Sequence, residues 1–111
     1  MLYQSDFEFI TPPRLVGLGF DPVYRGRDGR IQFQRRWMDE WGEMRFEPDE
    51  VLDLGDRAVF LGSVKGSGAT SGAGFESDQW GVLYELSGGR LTREAPFFDR
   101  QEALEAAGLQ E

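Results

Sequence analysis

The sequence predicts an α+β fold in which a curved antiparallel sheet wraps on one helix and a short helix closes the chain. Three observations carry this expectation. An alternating segment near the N-terminus is followed by an aromatic stripe at helical spacing. A run of β-rich segments separated by Gly-containing turns comes next. A capped Ala/Glu-rich segment ends the chain. One strand, a helix and then hairpin-linked strands give a sheet with a helix on one face. A four-strand meander coiled around a helix leaves a cone, which is a natural small-molecule pocket.

Each element has its own signal. Phe7, Phe9 and Ile10, interleaved with Asp6 and Glu8, read as a strand that Thr11-Pro12-Pro13 ends. A loop is expected through Gly17, Gly19, Asp21 and Pro22. Asp28 to Trp41 reads as a helix, with Ile31, Phe33, Gln34, Trp37, Met38 and Trp41 at helical spacing. Asp28 is its expected cap and Gly42 its stop. Met44 to Leu54 alternates loosely, and Pro48 predicts an edge or a bulge there. Asp53-Leu54-Gly55-Asp56 reads as a tight turn and Arg57 to Lys65 as a strand. Gly66 to Gly74 reads as a hairpin connection. Phe75 to Leu86 alternates well, with Trp80, Val82, Tyr84 and Leu86 on one face. Ser87-Gly88-Gly89-Arg90 is a hairpin turn before a closing strand, Leu91 to Phe98. Asp99 and Glu102 have capping-box spacing for the last helix, and Gly108 with Leu109 reads as its stop.

Composition narrows the chemistry. A chain of 111 residues, 40% hydrophobic and with nine Phe, three Trp and three Tyr, fits one domain with a real core. Its small size favours self-association, because short chains bury a smaller share of their surface. There is no Cys, which excludes disulfides, thiol nucleophiles and thiolate metal sites and fits a reducing cytoplasm. There is no His, which excludes Ser-His and Cys-His nucleophile systems, a His base and His-built zinc sites. A net charge of -8 argues against nucleic acid as a partner. Arg25, Arg27, Arg30, Arg35 and Arg36 cluster locally and read as a solvated loop and helix face. No apolar run approaches the length of a membrane span, and no signal-peptide pattern opens the chain.

Several segments together resemble a known family. They are Tyr24-Arg25-Gly26-Arg27-Asp28-Gly29 before the helix, Asp53-Leu54-Gly55-Asp56-Arg57 before a strand, Ser71-Gly72, Gly88-Gly89-Arg90-Leu91, and the tail Phe98 to Leu109. In this order and spacing they resemble the SnoaL-like group of the nuclear transport factor 2-like superfamily. The resemblance implies a cystatin-like α+β cone and a dimer packed through its sheets. Family members normally begin with long helices that close the cone's mouth, whereas the first strand here starts almost at Met1. Met1-Leu2-Tyr3 reads as the end of such a helix, so residues 1–111 are expected to be a single domain lacking its N-terminal helices. A stop codon immediately upstream of Met1 in the same frame would refute this.

Known catalytic sets of the superfamily do not transfer. Its ketosteroid isomerases use an Asp base near the end of the first strand with Tyr and Asp donors, and that region here reads Glu8-Phe9-Ile10-Thr11-Pro12. Polyketide cyclases of the SnoaL type use a His/Asp arrangement, which a chain without His cannot supply.

Among individual residues Glu94 is the carboxylate of most interest, since a buried mid-strand acid is costly unless paired. Alternation places Thr92, Glu94, Pro96 and Phe98 on one face and the more apolar Leu91, Arg93, Ala95 and Phe97 on the other. That favours a Glu94 facing solvent, or paired with Arg93 or a dimer partner, over a catalytic one. Trp37, Trp41, Trp80 and Tyr84 are candidate pocket-lining residues, against the plainer reading that they fill the core. Asp78 reads as a turn carboxylate rather than a group in the cone's mouth. Gly66 to Gly72 lacks the Gly-Lys-Ser/Thr ending and a following helix, so it is a connection and not a phosphate loop. The acids from Asp39 to Asp56 lack calcium-loop spacing. No metal site and no cofactor are therefore expected.

The leading expectation is a self-associating domain that binds a small apolar molecule in its cone. The alternative is an isomerase, cyclase or dehydratase using carboxylate acid-base catalysis, with Glu94 as acid or base. The third reading is a scaffold packed shut by its own aromatics.

Overall fold

The structure, a computed structural model, describes residues 3–42, 44–67 and 74–109, without the side chains of residues 3, 4, 41, 67 and 74–76. The elements are β1 (Tyr3–Ile10), α1 (Pro13–Val16), β2 (Val23–Arg25), α2 (Gly26–Trp41), β3 (Met44–Asp53), β4 (Arg57–Ser67), β5 (Gly74–Ser87), β6 (Arg90–Phe97) and α3 (Arg100–Ala106). They form one mixed α+β unit around a six-stranded sheet of order β2-β1-β6-β5-β4-β3. The meander β3 to β6 is antiparallel, as its hairpin turns require. β1 joins β6 in parallel, so the sheet is not antiparallel throughout. Met1 and Leu2 lie outside the described residues, and Tyr3 already belongs to β1 rather than to the end of a helix.

The helix on the inner face is placed by its entry. Gly26 takes φ 69°, a left-handed turn that other residues rarely adopt, and carries the chain straight from β2 into α2. Gly29 lies against β2 so closely that a Cβ would stand 3.0 Å from the Tyr24 carbonyl carbon. The Tyr24-to-Gly29 signature is thus a docking device. Helix α2 begins at Gly26, not at Asp28, and Arg25 stands at its N-cap without a side-chain bond. Asp28 sits in the first turn, where its charge favours the helix dipole. Phe33 and Trp37 are buried on the sheet, while Ile31 and Met38 face outward. With Phe7, Phe9, Leu15, Phe20, Tyr24 and Leu91, the first two form the inner core.

The stretch expected as a loop before β2 is more ordered than its residues suggested. Pro13 starts α1 after Pro12, and Phe20 closes that turn from a buried position. β3 ends the sheet, and its bulge between Pro48 and Glu50 matches the Pro48 signal. The Gly66-to-Gly74 connection falls mostly outside the described residues; β4 runs to Ser67 and β5 starts at Gly74.

Helix α3 packs on the opposite, outer face. Asp99 accepts from the backbone N–H groups of Gln101 and Glu102 at 2.8 and 3.2 Å. At the other end Gly108 donates to Glu105 O and Leu109 to Leu104 O, which closes a Schellman cap. Arg57 donates to Ala107 O at 2.7 Å, a cation on the helix C-terminus. Ala103, Leu104 and Ala107 then bury Val59, Leu61, Leu83 and Ala95 as a second core.

Candidate functional site

The hollow between α2 and the sheet is built from one helical stripe and one row of strand positions. Arg30, Phe33, Gln34 and Trp37 lie at i, i+3, i+4 and i+7 and face the sheet. Opposite them β1 offers Phe9, β5 offers Trp80, Val82 and Tyr84, and β6 offers Glu94 and Pro96. Together they enclose a chamber of about 130 Å³. The walls are largely aromatic: Phe9 and Phe33 stack at 4.2 Å, and Phe33 meets Trp37 at 6.2 Å.

Two charges sit in these apolar walls. Glu94 is only 7% exposed, and its Oε1 accepts from Arg30 Nε at 3.0 Å. The Arg30 guanidinium also donates to Gln34 Oε1 at 3.1 Å and lies over the Phe9 and Phe33 rings, 5.0 and 5.7 Å from their centroids. Among the described residues Glu94 Oε2 accepts no hydrogen bond, and Arg30 has N–H donors left over. Fixed charge with spare hydrogen-bonding capacity, set at the edge of an aromatic chamber, can hold and orient a polar group of a ligand.

The position of Glu94 corrects the expectation drawn from alternation. It is buried, faces inward and pairs with Arg30, not with Arg93 or solvent. A bulge explains the error. Between the pairs Glu85–Arg93 and Leu86–Leu91 strand β6 carries one residue more than β5, which is Thr92. The extra residue switches parity, so Leu91 and Glu94 share the inner face and Arg93 faces outward. Arg30 corrects a second expectation, since it is no solvated helix charge. Its signal was present in the spacing to Phe33 and Trp37 that defines the buried stripe.

The other candidates separate clearly. Trp37, Trp80 and Tyr84 line the chamber. The side chain of Trp41 lies outside the described residues. Asp78 is exposed and accepts from the Gln79 side chain, away from the hollow. No three acidic side chains gather into a metal-binding group among the described residues. Among the described residues no helix is long and apolar enough to cross a membrane.

Comparison with known proteins gives a consistent picture. Residues 1–94 match the family described as SnoaL-like domain. No curated protein matches the chain. A nuclear transport factor 2-like protein of unknown function from Burkholderia pseudomallei superposes with a TM-score of 0.79 at 24% identity, over 93% of this chain and 77% of its own. TerC, co-crystallised with polyporic acid, superposes with a TM-score of 0.78 at 24% identity, over 93% and 78%. A Catenulispora acidiphila protein of ketosteroid isomerase-like fold, in complex with trimethylamine, gives 0.74 at 14% identity, over 98% and 78%. At these identities the likeness shows a shared fold.

Proposed function

Because the chain belongs to the SnoaL-like domain family, we propose that its hollow binds a small molecule with an apolar ring body and one polar group held by Arg30 and Glu94. The observation that carries this reading is the pair of half-buried Arg30 and buried Glu94, which keeps unused donors and an unused acceptor beside an aromatic chamber. That TerC was co-crystallised with polyporic acid and the Catenulispora protein is in complex with trimethylamine supports a small-molecule-binding role for this chain. Phenol is a suitable probe. An apolar cavity of about 150 Å³ holds benzene, close to the about 130 Å³ here. Phenol should shift the indole N–H resonances of Trp37 and Trp80 saturably in a ¹H–¹⁵N spectrum. The double variant Arg30→Met/Glu94→Leu, which keeps the volume apolar, should weaken phenol by about tenfold or more. Unmoved indole signals at millimolar phenol would remove the proposal.

One observation favours a catalytic extension of the same site. Glu94 Oε2 is unpaired beside a fixed guanidinium, a geometry suited to moving a proton next to a carbonyl. Glu94 would take the proton from carbon while an Arg30 N–H meets the enolate oxygen, and the carboxyl would then return the proton to carbon. This step is an isomerisation by carboxylate acid-base catalysis. In a cyclase the enolate carbon would instead add to a second carbonyl whose oxygen takes the proton, and in a dehydratase the carboxyl would give the proton to a β-hydroxyl that leaves as water. Cyclohexanone in D₂O tests it: the protein should speed loss of the α-proton signal, and Glu94→Gln should abolish the acceleration. Equal exchange with and without protein would leave binding alone.

Self-association and a cytoplasmic location complete the proposal. Small size and the partly exposed Val51, Phe60 and Leu86 on the inner face support the first, and the absence of Cys supports the second. A monomer by sedimentation equilibrium at high concentration would remove the homodimer.

A further inference from the structure

We infer that Tyr84 sets the size limit for ligands in the chamber; the inference rests on the binding reading above. A second hollow lies beside the first on the same face of the sheet. It is an open trough of about 430 Å³ walled by Val51, Ala58, Phe60, Leu86 and Leu91. Tyr84 is the one residue, among those described, that lines both. Strand register explains why. Tyr84 stands directly opposite Glu94 of the chamber on one side and Ala58 of the trough on the other. Ala58 is too small to fill the space beside it, so the phenol ring itself is the wall. Phe60 braces that ring edge-on, with centroids 5.2 Å apart and planes at 77°.

The volumes give the wall a consequence. The chamber alone matches one six-membered ring. The trough is several times larger and mostly apolar, with Asp53 in its lining, and holds neither Arg30 nor Glu94. A two-ring ligand that engages the ion pair needs both spaces, and the Tyr84 ring stands between them. Tyr84 is thus a specificity-determining residue: it confines the ligand to a single ring bearing the polar group.

Phenol and 1-naphthol, titrated in parallel into wild type, Tyr84→Ala, Tyr84→Phe and Val51→Ala, test this. Wild type should bind phenol at least about tenfold more tightly than 1-naphthol. Tyr84→Ala should shift the ratio of 1-naphthol to phenol affinity at least about tenfold toward 1-naphthol. Tyr84→Phe keeps the ring and should keep the limit. Val51→Ala widens only the trough and should also keep it. If Tyr84→Ala does not fold, Tyr84→Leu removes the ring from a strand-compatible side chain and takes its place. Wild type binding both probes alike, or a limit unmoved by loss of the ring, would overturn the role of Tyr84 and leave the binding proposal standing. Failure of both probes to bind any folded form would remove the binding proposal and this inference together.

Discussion

Arg93 and Glu94 are chain neighbours on β6, yet they hold charge under opposite conditions. Arg93 faces outward in a row that crosses four strands: Arg25 of β2, Glu8 of β1, Arg93, and Glu85 of β5. Its arginines are open to water, Glu8 and Glu85 are half-buried, and the two in the middle each have two partners. Glu94 faces inward with one cation beside it and aromatic rings around it. Water and redundancy make the outer row tolerant. Burial makes the inner pair costly to break and gives its spare lone pairs a use.

The largest effect expected follows from that contrast. Arg30→Met keeps most of the side-chain volume but leaves Glu94 buried without its cation. It should cost about 3 kcal/mol, read from urea denaturation. Adding Glu94→Leu should recover most of the loss, because an apolar pair of similar volume removes the uncompensated charge. A double variant as unstable as the single one would show that the charge pair is not what Arg30 contributes.

The outer face has its own sensitive point, and it is steric rather than electrostatic. α3 rides so close to β5 that a Cβ on Gly81 would stand 2.6 Å from Ala103 Cβ and 3.1 Å from Leu61 Cδ2. Gly81→Ala should therefore cost about 2 kcal/mol. Pairing it with Ala103→Gly should return part of that by removing the opposing methyl. Asp99→Ala, which strips α3 of its N-cap, should cost about 1 kcal/mol. If Gly81→Ala were neutral, α3 would not be seated against β5 as the structure has it.

Much of this contrast was legible in the residues, and the failures have physical causes. The four hairpin-linked strands, the Pro48 irregularity, the Gly88-Gly89 turn and both ends of α3 were readable because each depends on a few adjacent residues. The buried stripe of α2 was readable from Phe33 and Trp37. β2 was not, because three residues make a strand only through pairing with β1. The side faced by Glu94 was misread because the bulge at Thr92 reverses parity, and no turn residue marks it. Arg30 was missed because a charge in a helix ordinarily means solvent. Its partner lies 64 positions away, which no local pattern reports.

The smallest effect expected belongs to the outer row and depends on pH. A hydrogen bond from Arg93 lowers the Glu8 carboxyl below its usual value of 4.5; partial desolvation opposes this, and the bond and charge of Arg25 add to the lowering. A carboxyl whose pKa is depressed by folding adds stability above the unfolded-state value, and the gain fades as pH falls through the folded-state value. Glu8→Gln removes that gain. The stability difference between wild type and Glu8→Gln should be level near neutrality and shrink once the pH drops below 4.5. Urea midpoints of the two proteins, measured from neutral to acid pH, follow it directly. The same titration on Arg93→Gln should show a shallower acid response, because Glu8 then keeps only Arg25. A difference that grows toward acid would mean that Glu8 is raised by burial rather than lowered by its arginines, and the outer row would then resemble the inner pair after all.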